Sequence, residues 1–246
     1  ALSEAGLHVT ASDLLLSCVI HARAQLLPSS PPSFVDLERQ VRENDLPRPN
    51  LFSRDEPYHR VLSYLNSLPG EEGFFCREYC RDGCPANGAE PRNYFSPENA
   101  KRIDAIRTRI KCWKKENSIT KIEHSILLHD LMLATNKVAN TTGTYGYFLS
   151  KLSESAHRPI KLEPTQFSTK NTRNKVHHGR AKKVVPSISP DIAYLDPPYN
   201  KRQYAAYYHI LETIAHEDEP ELFLKIAEEL SLNWEKRASP VAKKIL

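Results

Sequence analysis

The sequence predicts an α/β protein, on three observations. An alternating segment at 7–12 (Leu-His-Val-Thr-Ala-Ser) runs into an acid, Asp13, and then into an apolar helical stretch. A short apolar run, Asp191-Ile192-Ala193-Tyr194-Leu195, ends in a second acid, Asp196, followed by two prolines. Between them, the segments from Ser96 to Trp113 and from Lys121 to Asn136 carry helical periodicity.

The elements follow in order. Residues 7–12 read as a strand ending at Asp13, and Leu14 to Leu27 as a helix stopped by Pro28 and the Ser-Ser-Pro-Pro run behind it. Strand, acid and helix make half of a βαβ unit. Residues 28–57 are rich in proline and charge and read as mostly loop. Tyr58 to Leu68 reads as a helix ended by Pro69-Gly70, and 71–95 as irregular. Ser96-Pro97-Glu98-Asn99 is a helix start, with Ser96 as N-cap and Pro97 in the first position. Ile103, Ile106, Ile110 and Trp113 follow at helical spacing, and a second helix is expected from Lys121 to Asn136, with Ile122, Ile126, Leu127 and Leu131 on one face. Val138 to Gly146 is a polar turn of small residues. Asp191 to Leu195 reads as a buried strand, Tyr204 to Ala215 as a helix, and the residues beyond it as helical.

Composition sets bounds. Hydrophobic residues make up 40% of the 246 and charged residues 26%, an ordinary globular balance. A net charge of +4 permits a polyanionic partner without demanding one. The five cysteines are odd in number, with no leader-like stretch, so a reducing, cytoplasmic compartment is expected. Cys76, Cys80 and Cys84 are regularly spaced but lack a second pair to complete a tetrahedral site. They read as free thiols, and no metal is expected. No apolar run is long enough to span a bilayer.

The segment Asp196-Pro197-Pro198-Tyr199 carries the chemistry. In open α/β sheets, ligands gather at the carboxyl ends of strands. Two prolines fix the backbone there, so an acid at the strand end stands in a rigid frame. Such a frame suits methyl transfer to an exocyclic amine. The lone pair of that nitrogen is delocalised into its ring. A carboxylate and a backbone carbonyl that accept its hydrogens stabilise the charge developing on it. An adjacent aromatic ring suits stacking on an extruded base.

With its flanks, the motif resembles a known family. Asp196 to Asn200, then Arg202-Gln203-Tyr204, then His209-Ile210-Leu211-Glu212-Thr213-Ile214-Ala215 is similar to site-specific DNA adenine methyltransferases of the Dam-like alpha-type class, common in restriction–modification systems. Arg92 to Ala100, with Ile103-Asp104 and Ile106-Arg107, resembles the same group, as does Val138 to Tyr145. The resemblance covers roughly 5–216. It implies a Rossmann-like S-adenosylmethionine-dependent methyltransferase sheet with a helical target-recognition insert: 1–57 and 150–246 would form the catalytic core, in part, and 58–149 the insert. By resemblance, Asp196, Pro197, Pro198 and Tyr199 are the catalytic set, and Asp13 with Asp196 binds the cofactor. Asn140, Thr141 and Tyr145 lie where the base leaves its strand. Lys201 and Arg202, beside the catalytic turn, suit phosphates flanking the flipped nucleotide. The run 170–183, with Lys170, Arg173, Lys175, Arg180, Lys182 and Lys183, could add further phosphate contacts. The implied cofactor is S-adenosylmethionine. The implied partners are double-stranded DNA and a cognate restriction endonuclease or complementary subunit.

Three features depart from the pattern. A Phe-x-Gly-x-Gly turn, expected just before Asp13, is absent. A Gly-Asp-Ala-like run near the cofactor adenine is replaced by Gly179-Arg180-Ala181, which reverses the charge. The strands expected after Tyr199 are replaced by helical sequence. A doubly wound sheet without its first strand exposes a central edge, so the expectation is an incomplete chain that binds the cofactor weakly or not at all. Two alternatives stay open: a degenerate methylase-like DNA-binding subunit, and a methyltransferase acting on RNA or on cytosine N4. Cytosine carbon-5 chemistry would need a Pro-Cys nucleophile, and the chain has no such dipeptide.

Overall fold

A computed structural model describes residues 2–40, 56–86, 88–167, 173–196 and 204–222. The chain opens with strand β1 (Thr10–Asp13) and helix α1 (Leu16–Leu26). Helices α2 (Val35–Gln40), α3 (Pro57–Ser67), α4 (Phe74–Tyr79), α5 (Pro97–Lys115), α6 (Lys121–Lys137) and α7 (Glu154–His157) follow. Strand β2 (Lys175–His178), the short helix α8 (Ala181–Val184) and helix α9 (Tyr204–His216) complete the order.

β1 and β2 pair in parallel, Thr10 opposite Lys175 and Asp13 opposite His178. The amide of Gly179 extends the ladder to the carbonyl of Asp13 at 2.9 Å. Asn174 secures the entry to β2. Its Oδ1 accepts from Val9 N at 2.9 Å, and its Nδ2 donates to Leu26 O at 2.8 Å. One side chain thereby ties the strand pair to the end of α1, giving the βαβ relation that the opening residues predicted.

The helices form where local signals and packing agree. Ser96 caps α5, its hydroxyl accepting from Asn99 N at 3.3 Å. Thr120 and Glu123 form a reciprocal capping box at the start of α6, at 3.2 and 2.8 Å. The second Glu123 oxygen accepts the buried amide of Phe34 at 2.6 Å. That anchor, with Phe34 and Leu37 fully buried, explains α2 in a stretch whose prolines suggested loop. Likewise α4 lies in a segment expected to be irregular. Asp104 of α5 accepts from Gly73, Phe75 and Cys76 amides at 3.1, 2.9 and 2.8 Å, supplying from a distance the cap that the local sequence lacks. Gly73 is required there, because a Cβ would stand 2.7 Å from the Asp104 carboxyl carbon.

One continuous core joins α1, α3, α4, α5, α6 and α9. Ile103, Ile106, Ile110 and Trp113 are buried as their spacing predicted. Helix α6 departs from its expected single face. Ile126 to Met132 are buried without interruption while Ile122 is exposed. It packs against α1, α5 and α9 at once, so it is apolar around most of its circumference. The helical portion 58–149 therefore shares its core with α1 and α9 on either side of it.

The α/β class holds at this level, as a mainly helical chain with a two-stranded parallel sheet among the described residues. The segment Asp191–Leu195 corrects the expectation of a buried strand. It forms no strand, and Ile192, Tyr194 and Leu195 are 87%, 87% and 69% exposed. A strand needs a neighbour for its ladder, and among the described residues neither β1 nor β2 pairs with it.

Candidate active site

Asp13 stands at the carboxyl end of β1, exposed. One of its carboxylate oxygens accepts from Leu15 N at 2.8 Å and turns the chain into α1. The thiol of Cys18, one turn into the helix, is pushed up to about 12, by burial first and by the Asp13 and Glu212 carboxylates after that. Negative potential thus gathers where β1 meets α1, and Cys18 stays a protonated thiol. His178 Nε2 lies 3.0 Å from Leu14 O, closing the same corner from β2.

Sequence reading singled out Asp13 and Asp196 but missed what links the helices behind them. Glu212 of α9 is fully buried and caps α1, accepting from Ser17 N at 2.7 Å and Leu16 N at 3.2 Å. Leu15, at the N-cap position, has no side chain able to do this. His216, one turn on, lies 3.3 Å from the same carboxylate. Burial alone would raise the Glu212 pKa, but the hydrogen bonds from His216 and Ser17 hold it below its ordinary value. An anion at a helix N-terminus is favoured by the backbone dipoles as well. The helix that follows the Asp196 segment is thereby fixed to the helix that follows Asp13. The far end of α9 is held too: Glu217, in the left-handed region at φ +52, accepts from Lys114 Nζ at 2.7 Å.

The turn at 138–149 is built from the inside. Asn140 is fully buried. Its Nδ2 donates to Asn93 O at 2.8 Å and Leu149 O at 2.9 Å, and its Oδ1 accepts from Ser153 N at 2.9 Å. Tyr145 is buried, its hydroxyl donating to Asn136 Oδ1 at 2.6 Å and its amide to Tyr207 O at 3.3 Å. Tyr94 donates to Tyr145 O at 2.7 Å, and the rings of Tyr79, Tyr94 and Tyr145 surround His209 of α9. Thr141 is half-buried and Thr142 to Thr144 are exposed at the tip. Of the three residues assigned to DNA here, Asn140 and Tyr145 hold the turn's frame, and Thr141 borders its exposed surface. A cleft of about 380 Å³ lies between this turn and α9, bordered by Thr141, Thr144, Tyr145, Tyr207 and Tyr208.

Asp196 is exposed at the end of the 191–196 segment. Pro197, Pro198, Tyr199, Lys201 and Arg202 lie outside the described residues, as do Lys170 and the residues beyond Leu222. Arg180 is partly buried at the end of β2, and its Nε and Nη2 have no hydrogen-bond partner among the described residues. Among those residues no group of three or more His, Cys, Asp or Glu is placed to hold a metal ion, and no helix is long and apolar enough to cross a membrane.

Comparison with known proteins points to one family. The profile of the D12 class N6 adenine-specific DNA methyltransferases matches residues 6–242. The type II methyltransferase M.NlaIII of Neisseria lactamica is 43% identical over 159 residues, which is 65% of this chain and 46% of the relative. The modification methylase StsI of Streptococcus sanguinis is 32% identical over 217 residues, covering 87% of this chain and 30% of that protein. The type II methyltransferase M.FokI of Planomicrobium okeanokoites is 35% identical over 199 residues, covering 78% and 29%. The matches span less than half of each of these relatives. No solved structure matches the chain significantly.

Proposed function

The chain belongs to the D12 class N6 adenine-specific DNA methyltransferase family, and from that premise we propose that it carries the acceptor half of a site-specific enzyme of a restriction–modification system. The reaction is methylation of the N6 amine of adenine in double-stranded DNA, in the cytoplasm, on a base turned out of the duplex. Its sheet is completed as a Rossmann-like methyltransferase sheet, and 58–149 serves as the target-recognition region. A cognate endonuclease or a complementary subunit is the expected companion.

The observation that carries this reading is the Glu212 link, which couples the helix after Asp13 to the helix after Asp196. The helices that follow two motifs distant in sequence are held together, which supports a donor and an acceptor site within one enzyme. In the reaction, Asp196 and the carbonyl of Pro197 accept the two amino hydrogens, which stabilises the positive charge developing on nitrogen. Pro198 fixes the turn and Tyr199 stacks on the base. Lys201 and Arg202 hold flanking phosphates. The Asp13 carboxylate, exposed at a strand end, suits a ribose hydroxyl of S-adenosylmethionine. When bound, that cofactor supplies a methyl group on a sulfonium.

A labelled-methyl assay on duplex DNA, duplex RNA and protein tests the reading. With the completing strands or subunit supplied, transfer to duplex DNA alone, abolished by Asp196→Ala with DNA affinity kept, is expected. An active Asp196→Ala variant overturns the assignment. Binding to DNA should fall with salt at a log–log slope of about −4 to −5 if roughly five phosphates are neutralised.

Arg180 favours a second reading. Its Nε and Nη2 have no hydrogen-bond partner among the described residues, and by resemblance it stands in the run where the family carries an acid near the cofactor adenine. A DNA-binding subunit without its own catalysis would show this. Calorimetric titration with S-adenosylmethionine separates the two: micromolar binding removes the second reading.

A further inference from the structure

The cleft between the 141–145 turn and α9 has a chemistry that the proposed roles leave unused. Its aromatic side is formed by Tyr145 from the turn and by Tyr207 and Tyr208 from α9, with Leu211 on the apolar side. Tyr207 is set in place by Gly146, whose backbone the ring covers so closely that a Cβ would stand 2.9 Å from Cε1. Tyr208 stacks on Tyr204 with planes 9° apart, which fixes its orientation. Polar groups border the cleft as well. Asn136 uses its Oδ1 for Tyr145, and its Nδ2 has no partner among the described residues. The exposed Thr144 brings a hydroxyl.

Among the described residues, none bordering the cleft is charged. A phosphate would want cations there. A carboxylate would want them too. A neutral, flat, hydrogen-bonding ring wants aromatic faces, one apolar side and an amide or hydroxyl at its edge, and that is the set present. The volume, about 380 Å³, lies at the small end of the range for ligand pockets and suits one ring system. Asp196 does not border the cleft. A base held there therefore has its edge away from the carboxylate proposed to act on the acceptor amine.

Resting on the DNA reading above, we propose that this cleft receives a nucleobase of the recognition site other than the adenine that is methylated. Tyr207 and Tyr208 contribute ring faces, and Asn136 and Thr144 read its edge. The cleft is thus a specificity pocket. It selects which sequence brings the acceptor to Asp196.

Selection from a pool of random-sequence duplex DNA, read by sequencing, tests this with the full chain. The wild type should enrich a defined motif. Thr144→Trp, on an exposed turn tip, fills the cleft without touching the core. It should erase preference at one base-pair position and leave the rest of the motif. Tyr208→Ala should weaken binding to the enriched duplex about tenfold, the loss expected of one stacked base. Thr144→Ser should retain the motif. An unchanged motif in Thr144→Trp overturns the pocket and leaves the methyltransferase reading standing. Loss of calorimetric binding to S-adenosylmethionine in Thr144→Trp, with the motif unchanged, overturns it in favour of a cofactor pocket. A wild type that enriches nothing and binds without salt dependence overturns both readings.

Discussion

The turn at 138–149 and the segment at 191–196 both carry sequence motifs of one family, yet the protein holds them in opposite ways. The turn is bound from within. Asn140 satisfies two carbonyls and an amide, Asn93 donates to Leu149 O and Ser150 O, and Asn99 ties Ala156, Arg158 and Ile160 to α5. The 191–196 segment is exposed along its length and lies in no strand. Buried asparagines close a loop whatever else is present, because each brings donors and an acceptor to unpaired backbone. A strand exists only with a neighbour. The turn is therefore held by its own side chains, while the acceptor motif depends on structure built around it.

Asn140→Ala gives the largest expected effect, because it breaks the closed side of this comparison. Three hydrogen bonds at a fully buried site are lost, and unpaired carbonyls remain. Destabilisation of about 3–4 kcal/mol is expected in urea unfolding. A change under about 1 kcal/mol would mean that the turn is held mainly by the ring cluster around His209.

Asp130 comes next, in the same closed core. It accepts from Tyr58 at 2.5 Å and Thr165 at 2.6 Å, and burial raises it to about 7 despite these bonds. A folded value above the ordinary 3.8 means that the folded state favours the protonated acid. Its contribution to stability is then full below about pH 4 and is lost as pH rises through about 7. Asp130→Asn cannot ionise, so the melting temperature of the variant should vary less between pH 4 and 7, by an equivalent of about 3–4 kcal/mol. Parallel profiles for the two proteins would refute the assignment.

Most of this closed half was legible because its signals are local. Ser96-Pro97 marked the start of α5, the isoleucine spacing marked its buried face, and Asp13 marked the turn after β1. What escaped was supplied from a distance. Asp104 caps α4, Glu123 anchors Phe34 ahead of α2, and Glu212 caps α1 from the far end of the chain. None of these has a sequence signature at the helix it serves. Asn140 was legible as a motif residue, but not the part its side chain plays in holding the turn, because that depends on Asn93, Leu149 and Ser153 reaching it in the fold. The apolar run 191–195 carries the composition of a strand, but composition does not provide the pairing edge.

Glu212→Gln sharpens the comparison at the junction of the two regions. The isostere keeps the shape and removes the charge that the α1 N-terminus and His216 favour. A loss of about 1–2 kcal/mol is expected. Its pH dependence has the opposite sign to that of Asp130. The Glu212 pKa is lowered on folding, so its contribution is present above the ordinary glutamate range and is lost as pH falls through the folded value. The difference between wild type and variant should therefore shrink on acidification. Faster hydrogen exchange in the first turn of α1 would locate the effect, and unchanged exchange there would refute the cap.

Leu195→Lys should do least, and for that reason it tests the open side most directly. Leu195 is 69% exposed and packs into no core. A lysine there should change stability by no more than about 0.5 kcal/mol, as at any surface position without partners. It should also reduce self-association measured by light scattering, because it breaks an exposed apolar run whose backbone is free to pair. A loss comparable with that of Asn140→Ala would mean that the segment is packed in solution. The contrast between the closed turn and the open acceptor segment would then fail. If stability is unchanged while methyl transfer is lost, Leu195 matters only once the sheet around Asp196 is complete, which is the dependence that its exposure implies.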